Sequence, residues 1–163
     1  MVGRALSVIV MLVVLSFSTS CDLNRTTNAQ YQAVGNRGWN KLQSYSFVPQ
    51  WPDTAAARTY NLSVAIRHTG EYSYRNLALM VDLIDTTATG DGRVDRRTVN
   101  FTLADRYGNW LGSGFGDVYQ SSVVVAQNVD RKRVHRIVIW HGMKNVETLN
   151  AVTDVGVILS VNK

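Results

Sequence analysis

Tyr60-Asn61-Leu62-Ser63-Val64-Ala65-Ile66-Arg67 places Tyr60, Leu62, Val64 and Ile66 at every second position. Successive side chains of an extended chain point to opposite faces, so period two means one covered face and one outer face. The pattern predicts a strand. Leu77, Leu79, Val81 and Leu83 repeat it, with Asp82 and Asp85 turned outward. Thr89-Gly90-Asp91-Gly92 follows as a turn, because glycine and aspartate tolerate the positive φ that tight hairpins need. Residues 94–103 return as a strand with Val99, Phe101 and Leu103 on one face. Residues 123–127 and 134–140 are further strands. In the second of these Ile137 and Ile139 oppose Val138 and Trp140, so both faces are expected to be covered. Val155, Val157, Leu159 and Val161 form a last strand.

After Cys21 no segment carries a helical stripe. Strands at this spacing, joined by turns, predict an all-β fold: a single two-sheet antiparallel β-sandwich, jelly-roll-like or immunoglobulin-like, following an N-terminal signal peptide. The expected division is a signal peptide over 1–20, a polar tether and lead-in over 21–43 and the sandwich over 44–163. The part left after residue 20 amounts to one domain, large enough for a real core.

The amino end carries its own signals. Arg4 is a short basic start, and residues 5–17 are apolar apart from Ser7 and Ser16. Ser18, Thr19 and Ser20 are small, and Cys21 follows at once. Basic start, apolar run and small-residue cleavage site make a secretory signal peptide. The run is shorter than the roughly 20 residues that cross about 30 Å of hydrocarbon. Cys21 is the single cysteine of the chain, so it has no partner for an internal disulfide. Ser18-Thr19-Ser20-Cys21 resembles a lipobox, whose first position is more usually Leu. Acylated Cys21 is thus expected to hold the chain on a lipid bilayer. Each buried methylene contributes about 0.8 kcal/mol, and several chains together give stable anchoring.

The formal charge is +5. Nucleic acid is not expected as a partner, because Arg25, Arg37, Arg58, Arg67 and Arg75 are scattered and the chain is exported. Two denser clusters, Arg93, Arg96, Arg97 and Arg131, Lys132, Arg133, Arg136, fall at loop or hairpin positions. Solvated charge at a sheet edge blocks unwanted strand pairing, which is the plainer role for both. Docking on an anionic membrane surface or an acidic partner is the sharper one.

Residues 104–117 stand apart. Gly108, Gly112, Gly114 and Gly116 surround Trp110 and Phe115 and the acids Asp105 and Asp117. Glycines allow close backbone approach. Trp110 and Phe115 are expected to seal the edge of a core, and Asp105 and Asp117 to bind loop amides. These four residues form a candidate binding or structural motif. As plain structure, the segment is a packed connection between sheets.

Three stretches carry a family resemblance. The first is Tyr60-Asn61-Leu62-Ser63-Val64-Ala65-Ile66-Arg67-His68-Thr69 with Tyr72, Tyr74, Asn76-Leu77 and Val81-Asp82-Leu83. The second is Leu103-Ala104-Asp105 with Gly108, Trp110-Leu111-Gly112 and Gly114-Phe115-Gly116-Asp117. The third is His141-Gly142-Met143 with Thr153-Asp154-Val155-Gly156-Val157, and Gly38-Trp39 follows the lipobox cysteine after a short polar stretch. In these the chain resembles the gliding motility lipoprotein GldH family. The resemblance implies an envelope lipoprotein of surface-gliding bacteria that works with other envelope proteins of the gliding apparatus and its associated secretion machinery. It carries over no catalytic residues.

An enzyme is not expected. His135 and His141 would share a strand face but are too far apart along an extended strand to bind one zinc without help from folding, and each of His68, His135 and His141 suits a strand end or the surface. No His-Glu-x-x-His or Gly-x-Ser-x-Gly pattern occurs. No metal and no cofactor are expected. Asp82, Asp85, Asp105 and Asp117 show no spacing that singles out a carboxylate pair. The alternative function is binding of carbohydrate or cell-wall glycan, with Trp39, Trp51, Trp110, Tyr72 and Tyr74 available to stack on sugars. An exposed, coplanar pair of these rings favours that alternative, and buried rings favour a scaffold. Asp22 is followed by Leu23 and Asn24 rather than an acidic run, which leans towards the periplasmic face of the outer membrane, while an Asp directly after the cysteine leaves inner-membrane retention as the alternative.

Overall fold

A computed structural model describes residues 27–52, 59–86 and 92–162. The signal peptide, Cys21 and Thr89-Gly90-Asp91 of the expected turn lie outside the described residues. The strands are β1 (Thr27–Ala33), β2 (Trp39–Asn40), β3 (Tyr45–Phe47), β4 (Tyr60–Thr69), β5 (Asn76–Asp85), β6 (Arg93–Thr102), β7 (Ser113–Phe115), β8 (Val118–Val129), β9 (Arg136–His141), β10 (Thr148–Leu149) and β11 (Val152–Val161). One sheet has the order β1-β11-β4-β8-β7, the other β3-β9-β5-β6, and a small ladder pairs β10 with β2. All pairings are antiparallel. The architecture is the expected all-β sandwich.

Alternation places the core. Leu62, Val64 and Ile66 of β4 and Val155, Val157 and Leu159 of β11 face Leu77, Leu79 and Val81 of β5 and Ile137 and Ile139 of β9. Val99, Phe101 and Leu103 close the same interior from β6 and its end. Gly156 is demanded by a close approach on the outer face: a Cβ there would stand 2.5 Å from the Tyr31 ring. That ring carries the Arg67 guanidinium 3.9 Å above its centre, and Tyr31 Oη and Arg67 Nε both donate to Gln120 Oε1.

Polar side chains close the two long edges. From β1, Asn28 Nδ2 donates to the Gln50 carbonyl (2.9 Å), Gln30 Nε2 to Val48 (3.2 Å) and Gln32 Nε2 to Ser46 (2.7 Å). The Gln50 N–H returns a bond to Gln30 Oε1. One row of alternate residues on β1 thus binds the main chain of β3 and its continuation in the opposite sheet. At the other edge Arg97 Nη1 of β6 donates to the Val125 carbonyl of β8 at 2.7 Å, with Asp95 holding the guanidinium. Both β1 and β2 fall within residues 21–43, so the stretch read as tether and lead-in contributes sheet-paired structure from Thr27 onward.

Two expectations about polar residues need correction. Asp82 does point to the outer face, but it is buried rather than solvated: Arg96 grips both carboxylate oxygens at 2.8 Å and itself lies over Trp140. His68 and His141, expected at strand ends or the surface, do lie at the ends of β4 and β9 but are fully buried, at 0% and 1% exposure. Both are inward positions of strands that alternate correctly. His135 is exposed, with Nδ1 3.4 Å from Asp85. His141 packs edge-on against Trp39, and neither ring nitrogen has a hydrogen-bond partner. Burial, helped by Lys41, holds its pKa below the ordinary imidazole value despite the opposing pull of the Trp39 and Glu147 backbone and the Glu147 carboxylate. Burial lowers His68 as well, against a contact with the Thr69 carbonyl.

These two features give testable outcomes. Leu79→Ala removes a fully buried side chain from the middle of the interior and lowers unfolding free energy by about 2–5 kcal/mol, measured by urea denaturation. Imidazoles depressed in the folded state take up protons more readily in the unfolded chain. The stability they contribute is complete above about pH 6.5 and is lost as pH falls through their lower folded values. The urea midpoint therefore declines on acidification below about pH 6.5, and the decline shrinks in His141→Gln. An equal decline in both proteins contradicts a buried neutral His141.

Candidate functional site

Strand register gives the sandwich two ends. Thr27 pairs with Ser160, Ser160 with Asn61, and neighbouring Tyr60 with Val129. In the other sheet Asp85 pairs with Arg93 and Ile84 with Arg136. These residues mark the tether end, where β1 begins. Ala33, Thr69, Asn76, Thr102 and Val118 mark the opposite, distal end.

Asp105, Trp110, Phe115 and Asp117 all sit at the distal end, on the connection from β6 through β7 to β8. Asp105 Oδ1 accepts the N–H groups of Tyr107 (2.8 Å) and Asn109 (2.9 Å), and Oδ2 accepts Asn109 Nδ2 (2.9 Å). The Asn109 side chain and these backbone donors hold the carboxyl below its usual pKa. Its acceptor capacity is therefore used by its own turn. Asp117 works between elements: its carboxylate Oδ1 and its main-chain carbonyl both accept the Gly70 N–H at 3.2 Å. That bond ties the β4–β5 turn to the β7–β8 hairpin. Gly114 allows the hairpin to close, because a Cβ there would collide with the Val118 carbonyl.

Trp110 is half-buried and packs on the core, as expected. Its ring stands 4.6 Å from His68, 5.9 Å from Tyr119 and 6.4 Å from Tyr72. His68 also stacks on Tyr119 at 5.6 Å. The imidazole is thus a flat packing plate within an aromatic cluster that alternation did not reveal. Phe115 departs from expectation. It seals nothing and is 96% exposed, since β7 is a three-residue edge strand beyond the reach of the core. Tyr107 and Leu111 are exposed beside it in sequence, so this end presents apolar groups on a glycine-rich connection.

Among the described residues no three His, Cys, Asp or Glu side chains gather as a metal site would require. The five rings considered for sugar stacking do not form an exposed coplanar pair. Trp39 is buried against Tyr45, Trp51 tilts 50° from Tyr60, and Tyr72 meets Tyr74 at 68°.

Comparison with known proteins follows this geometry. Residues 26–159 match the family described as GldH lipoprotein. A gliding motility lipoprotein GldH of Flavobacterium johnsoniae is 30% identical over 143 residues, 84% of this chain and 85% of that protein. A gliding motility lipoprotein GldH homolog of Christiangramia forsetii is 27% identical over 160 residues, 93% of each chain. Solved structures resemble the chain more remotely. FlhE matches at 11% identity and a TM-score of 0.37, over 84% of this chain and 98% of that one. A carbohydrate-binding module specific for non-crystalline cellulose matches at 14% identity and a TM-score of 0.34, over 72% and 70%. Likeness at this level says nothing about function. The family match spans most of the sequence and all three stretches that carry the resemblance, and the chain therefore belongs to the GldH lipoprotein family.

Proposed function

We propose that the protein is a lipid-anchored, non-enzymatic component of a gliding motility machine and its associated secretion apparatus. Acylated Cys21 holds it in the outer membrane with the domain on the periplasmic side. The observation that carries this is the match over residues 26–159 to relatives named for gliding motility, directly following a lipobox-like cysteine.

The distal end supports a scaffold role. The Asp105 carboxylate is occupied by its own turn, Asp117 joins two turns, and Trp110 and His68 are packing surfaces. Asp105, Asp117, Trp110 and the face of the His68 ring thus each have a structural task. Among what this end offers outward are the apolar groups Phe115, Leu111 and Tyr107, which suit contact with another envelope protein. Glycan binding gains no support from ring geometry, because the candidate aromatics are spent in edge-on or tilted packing.

The test is chemical cross-linking in native envelopes, then recovery of the protein and mass spectrometry of what comes with it. The expected result is recovery of gliding or secretion components by the native protein and their loss with Cys21→Ala. Recovery of the protein alone, or only with envelope glycan, contradicts the proposal.

A further inference from the structure

The two basic clusters, distant in sequence, meet at the tether end. Arg93 opens β6 opposite Asp85, and Arg136 opens β9 opposite Ile84. Arg131, Lys132 and Arg133 occupy the turn between Val129 and Arg136. Arg93, Arg97, Lys132 and Arg133 line a cleft of about 780 Å³ between that turn and the β5–β6 end. Of the acids that line the cleft, Asp95 and Asp130 are engaged locally, while Asp85 Oδ1 has no hydrogen-bond partner. Asp95 pairs with Arg97 at 2.7 Å, Asp130 Oδ1 accepts the Lys132 N–H at 2.9 Å, and Asp85 lies beside His135. Arg93, Arg131, Lys132, Arg133 and Arg136 are exposed and make no ion pair among the described residues.

β1 begins at this same end. Thr27 pairs with Ser160, and β11 and β4 lead across the sheet to Val129, the last residue of β8 before the basic turn. Five residues lie between Cys21 and Thr27, so six Cα-to-Cα steps separate them. Fully extended they span about 20 Å, at roughly 3.3–3.6 Å each. An anchor at Cys21 therefore keeps the basic end, not the apolar distal end, close to the bilayer. Surface charge acts over about 8–10 Å at physiological salt, well inside that reach. A short tether also raises the effective concentration of the two surfaces for each other.

We propose that this end of the sandwich docks on the anionic phospholipid headgroups of the leaflet that carries the anchor. Arg93, Arg131, Lys132, Arg133 and Arg136 supply the contact, and the cleft admits a phosphate group. Docking orients the domain so that Phe115, Leu111 and Tyr107 face away from the membrane. The inference rests on lipid anchoring at Cys21 as proposed above.

Because Cys21 is the single cysteine and is acylated, one introduced thiol can be labelled selectively. Gln127→Cys puts an environment-sensitive fluorophore at the basic end, and Tyr107→Cys puts one at the distal end. The lipidated protein is purified from membranes and reconstituted into vesicles of phosphatidylethanolamine with phosphatidylglycerol, or of phosphatidylcholine, each with a nitroxide-labelled lipid. Vesicle flotation reads the anchor, and quenching reads docking. The expected result is quenching at position 127 in phosphatidylglycerol vesicles, little at position 107, and little at either in phosphatidylcholine, with flotation in both. Replacing Arg131, Lys132 and Arg133 by Gln lowers the docked-to-undocked ratio by about fivefold per charge removed. Flotation with equal quenching at 127 in both vesicle types, or with none, overturns docking and leaves anchoring intact. Quenching that the Gln variant does not weaken also overturns it, and points to tether geometry instead. Failure to float with any vesicle overturns anchoring and docking together.

Discussion

Asn28, Gln30 and Gln32 project from one face of β1 and bind main-chain carbonyls of the opposite sheet. Arg97 does the same at the far edge, from β6 to the Val125 carbonyl. An unpaired strand edge exposes a row of donors and acceptors that invites further pairing. Here the Ser46, Val48 and Gln50 carbonyls, the Gln50 N–H and the Val125 carbonyl are satisfied across the gap between sheets, so these bonds also join the two layers. Side-chain amides suit this task because they both donate and accept, as Gln30 does with Val48 and Gln50. The apolar interior supplies the driving force for layering. The edge bonds join the two layers at their rims, and strand register gives the sandwich its two ends.

From that closure comes a division of labour along the long axis. One end receives the tether and gathers basic residues from the β5–β6 and β8–β9 connections. The other carries a connection organised by Asp105 and Asp117 and backed by the His68, Tyr72, Trp110 and Tyr119 cluster. Phe115 stands exposed on the short edge strand β7, where it can serve as a contact. Membership of the GldH lipoprotein family gives the arrangement its setting. A protein held at one end and presenting apolar groups at the other suits a bridge between a membrane and a protein assembly.

Much of the fold was legible in the residues. β4, β5, β11 and the second half of β6 follow alternation because their inward positions are mostly aliphatic or aromatic, and burial of such side chains is what period two reports. β1 escaped the same test because its bridging positions are Asn28, Gln30 and Gln32, which look solvated until the opposite main chain is known. Alternation also gave Asp82 the correct face but could not show Arg96 and Trp140 covering it. His68 and His141 were misjudged because residue type was weighed above strand parity, although parity placed them inward beside Ile66 and Ile139. At the distal end the roles of Asp105 and Trp110 were visible in composition, since a turn aspartate and a core-edge tryptophan are local features. Phe115 was not, because its exposure depends on β7 being an edge. The convergence of the basic clusters rests on long-range register, which no local pattern contains.

The central claim is that the edge bonds make two sheets one cooperative body. Native-state hydrogen exchange on the wild type and on Gln32→Ala tests it most directly. The account predicts that slowly exchanging amides of β4 and β11 in one sheet, and of β5 and β9 in the other, share a common opening free energy. It also predicts that Gln32→Ala lowers all of them equally. Faster exchange confined to β1, with β5 and β9 unchanged, would contradict it.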